Sequence, residues 1–401
     1  MKREKKQREV LSYEDEALED YSKGERINAV FSQKGKIVII ILAVCVVLVG
    51  IAATWRFIAP DKIGSTISGS GGTGNGYPTD IIGTKVQTGN IAVLNSNLAY
   101  VSDTSFVALN NYAATVANRK IKYSSPIMVS SGGYALIYNQ DEIGFEIDTA
   151  SELVYQGDSD DKILTGDITS GGVYALVTAK EGYASKLTVY NKDNTQRYAY
   201  YFADYYVDSV SINESGTRGV VSGVSSQYGV LTSAVYVLDF KNEEPLAKLD
   251  FQDNMIYKVA FMKNGNIAAI GDSSASLISS DYQSKTDFTY DGDMLTAMEI
   301  DSDNGFALSL SRSGDGRTCS IQYISQDGYD TTIDSDLQIT SIGLYGQAIA
   351  VLSKETITVY NRNGEKMGEY NAGVDAKSIE LTSEKYAYVL GISQIRAVQI
   401  N

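Results

Sequence analysis

The chain has 401 residues, with 34 Lys and Arg against 49 Asp and Glu, no His, two Cys and one Trp. The missing histidine excludes imidazole-based triads, His-ligated zinc and His-held haem, and the formal charge of −15 disfavours nucleic acid and anionic lipid as partners. Carboxylate, Lys or Tyr chemistry stays open, and no cofactor is implied.

Residues 1–36 hold nine basic against eight acidic side chains, beginning with Lys2, Arg3, Lys5, Lys6 and Arg8 and turning acidic at Glu14-Asp15-Glu16 and Glu19-Asp20. Apolar content is too low for a core, so a mostly disordered tail is expected, with a docking segment for a cytoplasmic partner as its functional alternative. Ile37 to Trp55 is an unbroken apolar run. At ~1.5 Å per helical residue it reaches roughly 28 Å, enough to cross a hydrocarbon core. Lys23, Arg26, Lys34 and Lys36 precede it, while only Arg56 and Lys62 follow closely. That asymmetry places the tail in the cytoplasm and all later residues outside, so the chain is expected in the cell membrane as a single-pass protein. The run begins too late and lasts too long for a cleaved signal peptide. Leu42-Ala43-Val44-Cys45 resembles a lipobox but departs from it at Val44. The helix is therefore read as an uncleaved anchor over 37–58, with Cys45 an apolar side chain within it.

Residues 59–80 form a linker, Gly- and Ser-rich from Gly64 to Gly76, which sets no orientation. From Pro60 onward, 24 Lys and Arg face 41 Asp and Glu, so the exterior favours basic partners. Cys319 is the only cysteine beyond the span, so no intrachain disulfide can staple the outer domain.

From Ile81 to Asn401 the pattern is uniform: apolar and Tyr-rich runs of four to seven residues between Gly, Asn, Asp and Ser, which are strand and hairpin signals. A small residue inside a β run recurs at Ala99, Ala135, Ala175, Gly219, Ala268, Ala307, Ala350 and Ala387, a step of about 41 residues. That is the period of a four-stranded propeller blade. In the second repeat the strands are read as Ile127–Val129, Tyr134–Tyr138, Ile143–Ile147 and Leu153–Tyr155. Turns at Ser170-Gly171-Gly172, Glu214-Ser215-Gly216, Lys263-Asn264-Gly265 and Asp303-Asn304-Gly305 supply residues suited to positive φ. The last repeat, Lys377 to Ile400, has room for three strands, and Thr84–Thr88 is expected to supply the fourth and close the ring. The expected fold is all-β: a propeller of eight blades, alternatively seven, preceded by one transmembrane helix. The small residues are expected near the crowded axis.

With these repeats the chain resembles the broad superfamily of quinoprotein-like and WD-repeat-like propellers. It lacks a Trp-Asp signature, since its one tryptophan is Trp55, and Ser313-Gly-Asp-Gly-Arg-Thr318 resembles a sialidase Asp-box one residue short. Tail, span, stalk and Tyr-rich propeller together resemble an uncharacterised family of membrane-anchored proteins of Clostridia-type Gram-positive bacteria. The resemblance implies a cell-surface location and no particular activity.

If the strands run as parsed, the connections from the last strand of one blade to the first of the next carry Asp158, Asp160 and Asp161, then Asp204, Asp253, Asp291 with Asp293, Asp334 with Asp336, and Asp375. They are either turn residues bonding their own backbone or an acidic rim attracting a basic partner or a hard cation. Asp301-Ser-Asp303-Asn-Gly305 only partly matches a calcium loop and is read as a hairpin turn, so no metal site is assigned. Tyr198, Tyr200, Tyr201, Phe202, Tyr205 and Tyr206 are either packing between blades or a recognition platform for sugar or peptide. Ser222 to Thr232 is read as a long overhanging loop beside them. Asp158, Asp160, Asp161, Asp204, Asp291, Asp293, Tyr200, Tyr201, Tyr205 and Tyr206 are thus the candidate partner-binding residues. The expectation is a non-enzymatic binding or scaffolding protein that presents this face to a protein, peptide or cell-wall glycan. The alternatives are a glycan hydrolase or lyase with paired carboxylates in the central funnel, and a transmembrane sensor.

Overall fold

A computed structural model describes residues 74–400 apart from 228 and 313–317, and every regular element among them is a β-strand. The tail, the proposed span and most of the linker lie outside the described residues, as does most of the Asp-box-like stretch. Among the described residues no helix is long and apolar enough to cross a membrane.

The strands form eight four-stranded antiparallel sheets, so the eight-blade reading holds. The second blade is Pro126–Ser131, Tyr134–Asn139, Gly144–Thr149 and Leu153–Asp158, hydrogen-bonded in that order, close to the strands read from sequence. Within a blade we letter the strands A to D from the axis outward. Strand B is covered on both sides by neighbouring blades, which is why Tyr134–Asn139 reads as a continuous apolar run. Strand D alternates between covered and exposed residues because its outer face meets solvent, as in Ala247–Gln252.

The eight recurrent small residues all lie on B strands, and the seven alanines are fully buried. They sit one strand out from the axis, inside the apolar layers between blades, so crowding by the adjacent blade limits their size. A Cβ on Gly219 would come within 3.0 Å of the Phe240 ring. At the axis itself, side chains of one A strand bond the backbone of the next blade's A strand. The Asn90 amide donates to the Pro126 carbonyl at 2.7 Å and accepts from Met128 N–H at 2.9 Å. The Asp167 carboxylate accepts from Ile212 N–H at 2.7 Å, and the Ser209, Ser211 and Ser341 hydroxyls accept from Val259, Phe261 and Ile379.

Ring closure differs from the sequence reading. The eighth blade, Ser378–Ser383, Tyr386–Leu390 and Gln394–Gln399, takes its outer strand from Thr79–Asp80, which pairs with Ile395 and Gln394. Thr84 is held by the Asp103 carboxylate in the crossing from that outer edge to the axis, and Val86 already belongs to the first A strand, Val86–Leu94. The crossing consumes the residues the expected closing strand would have needed.

Antiparallel order puts the A–B and C–D turns at one end of the propeller and the B–C and D–A connections at the other. The chain enters at the first end, where Gly76 N–H donates to the carbonyl of Tyr112 in the C–D turn of blade 1.

Candidate functional site

The aspartates read from sequence do lie on or beside D–A connections, at one end of the molecule, but most are already engaged. Asp161 pairs with Lys180 at 2.9 Å, and Asp293 and Asp334 each lie 3.7 Å from Arg312. Asp375 pairs with Arg396 and accepts from Ile392 N–H. Asp253 and Asp291 adopt left-handed φ of 54° and 53°, and Asp291 accepts from the Thr289 hydroxyl. These are turn and bridging roles. Asp158, Asp160 and Asp204 are exposed. No group of three acidic residues among the described residues could hold a metal ion.

The tyrosines separate into two sets. Tyr200 and Tyr205, with Tyr198 and Phe202, pack toward blade 4 against Tyr236 and Phe240: the Tyr205 and Phe202 rings lie 5.6 and 5.4 Å from Tyr236, and Tyr198 lies 5.2 Å from Phe240. Lys248 Nζ lies 4.8 Å above the Tyr205 ring, closing that layer on the outside. Tyr201 and Tyr206 are exposed, Tyr201 against Tyr183 at 4.9 Å. The expected loop at Ser222–Thr232 is instead the tip of an extended hairpin, Arg218–Gln227 and Val230–Asp239, paired to Gln227 with Val230. Its Ser- and Gly-rich composition masks two strands paired without interruption. The hairpin carries Val230 and Leu231 into solvent at 56% and 58% exposure. Tyr206, Tyr257 and Met294, also exposed, lie in the first two residues of the A strands of blades 4, 5 and 6 at the same end. Sequence reading missed Tyr257 and Met294 because each is a single apolar residue at a strand start.

The second feature is at the opposite end of the axis. Two adjoining cavities of about 930 and 550 Å³ are lined by A strands and A–B turns. The larger takes in Asp167 and Lys258, the smaller Glu299 and Glu380, and the two share Ser130–Gly132 and 300–303. Burial lifts all three carboxyls. Asp167 is pushed up to about 6, although Ile212 N–H and Lys258 oppose the shift. Glu299 reaches about 7 despite Ile300 N–H and Lys258, and Asp301 adds repulsion. Glu380 reaches about 8, with repulsion from Glu299 adding to burial. The sequence carries a signal for them: one charge inside an otherwise apolar innermost strand, as in Tyr-Lys258-Val, Met-Glu299-Ile and Ile-Glu380-Leu. About 40 or 80 residues separate successive members, so only the closed ring brings them together.

Solved structures share the fold at low identity. The C-terminal WD40 domain of Sif2 matches with a TM-score of 0.57 at 14% identity, covering 81% of this chain and 99% of its own. A eukaryotic initiation factor matches at 0.54 and 10% identity, covering 80% and 86%. No curated protein matches the chain by sequence. A family model described as a family of unknown function, DUF5711, matches residues 71–399, the whole propeller, and the chain belongs to that family.

Proposed function

We propose that this is a non-enzymatic, membrane-anchored binding protein whose propeller, outside the cell, takes a protein or peptide partner on its D–A end over blades 4–6. The supporting observation is the grouping there of Tyr206, Val230, Leu231, Tyr257 and Met294, all exposed, on three successive blades. Exposed aromatic and aliphatic side chains on a rigid scaffold are the usual anchors of an interface. Asp204, exposed two residues before Tyr206, favours a partner carrying Lys or Arg beside its apolar contacts. The first described residues enter at the other end, at Gly76. The apolar run Ile37–Trp55 and its basic flank support the anchor and its direction.

The test is capture from surface-crosslinked cells with the full-length chain and a Tyr206→Ser, Leu231→Ser, Met294→Ser variant. The reading expects loss of the partner at unchanged melting temperature, and a partner retained by the variant overturns the site. A wall glycan as the captured species would replace the protein partner. Topology is checked with single cysteines at Ser12 and Ser70: a membrane-impermeant maleimide should label only the second in intact cells.

Glu299 and Glu380 on one cavity favour a second reading, carboxylate hydrolysis. Such a pair needs one acid held protonated and the other held ionised. Both are pushed upward here, which favours binding over catalysis.

A further inference from the structure

We infer that the axial cavity between Glu299 and Glu380 binds a small organic cation through an ammonium or guanidinium group. This site is separate from the outer docking face and stands or falls without it.

On the inner strands, Asn90, Asp167, Ser209, Ser211 and Ser341 each bond the next blade, so their polarity serves the ring. Glu299 and Glu380 occupy the same kind of strand without doing so. Glu299 accepts only from the N–H of Ile300 beside it. Glu380 makes no hydrogen bond among the described residues; it is half-buried and lines the smaller cavity with Glu299. A carboxylate drawn partly out of water without a partner costs the fold stability, and Gln or Leu would be cheaper at either position. Groups that disfavour folding and face a cavity are characteristic of binding sites.

The surroundings select the ligand. The charged groups facing this space are Lys258 on blade 5 and Asp167 on blade 3, both in the adjoining cavity, Asp301 and Asp303 at the A–B turn of blade 6, and Lys263, which already pairs with Asp303 at 3.2 Å. Lys258 draws on Asp167 and Glu299, leaving Glu380 without a cation. Anionic ligands are disfavoured by the carboxyls. A divalent ion is disfavoured because no three acidic groups among the described residues are placed to ligate one. An ammonium or guanidinium needs only two carboxylates and a few acceptors, and Asn95, Ser130, Ser131, Ser302 and Thr382 supply those on the walls. About 550 Å³ is room for a small ligand.

Binding would ionise both glutamates and release their protons, so affinity should rise with pH, by roughly tenfold or more for each glutamate from about pH 6 to pH 8. The probe is Nα-acetyl-arginine amide, whose guanidinium is its only charge, with the uncharged isostere Nα-acetyl-citrulline amide as control, titrated by calorimetry into the full-length chain. We expect the arginine amide to bind and the citrulline amide not to. Glu380→Gln and Glu299→Gln should each weaken binding tenfold or more, yet melt higher than wild type at about pH 8 without ligand, which also shows that they fold. The proposal is overturned if both amides bind alike, if neither binds at about 10 mM, or if Glu380→Gln binds as wild type. An acetylated Gly-Gly-Arg-Gly-Gly amide distinguishes sources: competition identifies a peptide-borne side chain, and no competition identifies a free amine. Tyr206→Ser should leave all of this unchanged.

Discussion

Asn90 joins two blades with one amide, satisfying a buried N–H and a buried carbonyl on the neighbouring strand. Asn90→Ala leaves both unpaired, and each orphaned group costs about 1–3 kcal/mol. Denaturant unfolding should therefore show a loss of at least ~2 kcal/mol. Ala268 tests the opposite limit: it is fully buried between blades, and Ala268→Leu should cost about 1–3 kcal/mol by overpacking, read the same way. Such positions were legible in sequence because size is restricted at every repeat. Tight turns were legible too, since Gly172 and Gly265 adopt φ of 82° and 89°, where side chains are disfavoured. The funnel carboxyls were not, because single charges one or two repeats apart become neighbours only when the ring closes.

The strands most dependent on tertiary context were the ones misread. Thr79–Asp80 is two residues long and carries no alternation, so nothing local marks it as the closing strand. Its position is secured from outside: Tyr77 just before it packs 5.1 Å from Tyr388, and Asp80 accepts from the Gln394 side chain at 2.9 Å. Tyr77→Ala should destabilise the ring by about 2–3 kcal/mol, and hydrogen exchange should show the loss concentrated in Gln394–Gln399. The Arg218–Asp239 hairpin was missed for the reverse reason: Gly and Ser in Ser222–Gly229 resemble a loop, yet cross-strand pairing continues to the tip. Strand B, buried on both sides, was the element sequence placed best.

At the scale of the whole molecule, buried acids set the response to pH. Besides the funnel, Glu146 and Asp148 are buried beside Arg119 between blades 1 and 2, and burial lifts them to about 8 and about 6. Each of these groups has a folded value above its unfolded one, so its contribution is fully present below about pH 4 and is lost as pH rises through 6 to 8. The surface carboxylates Asp103, Asp193 and Asp281, lowered by hydrogen bonds in their turns, run the other way and lose support only in more acid solution. Melting temperature should therefore fall by about 5 °C or more between pH 5.5 and 8.5, and a rise over that interval would contradict the burial of these acids. The entry point of the chain has a mechanical consequence. Any tension carried by residues before Gly74 meets the propeller at the Gly76 and Tyr77 contacts and then at Thr79–Asp80, its shortest strand. The ring's clasp is thus in series with its tether, and a pulled molecule yields there first, releasing one edge while the seven blades built wholly from contiguous chain stay folded.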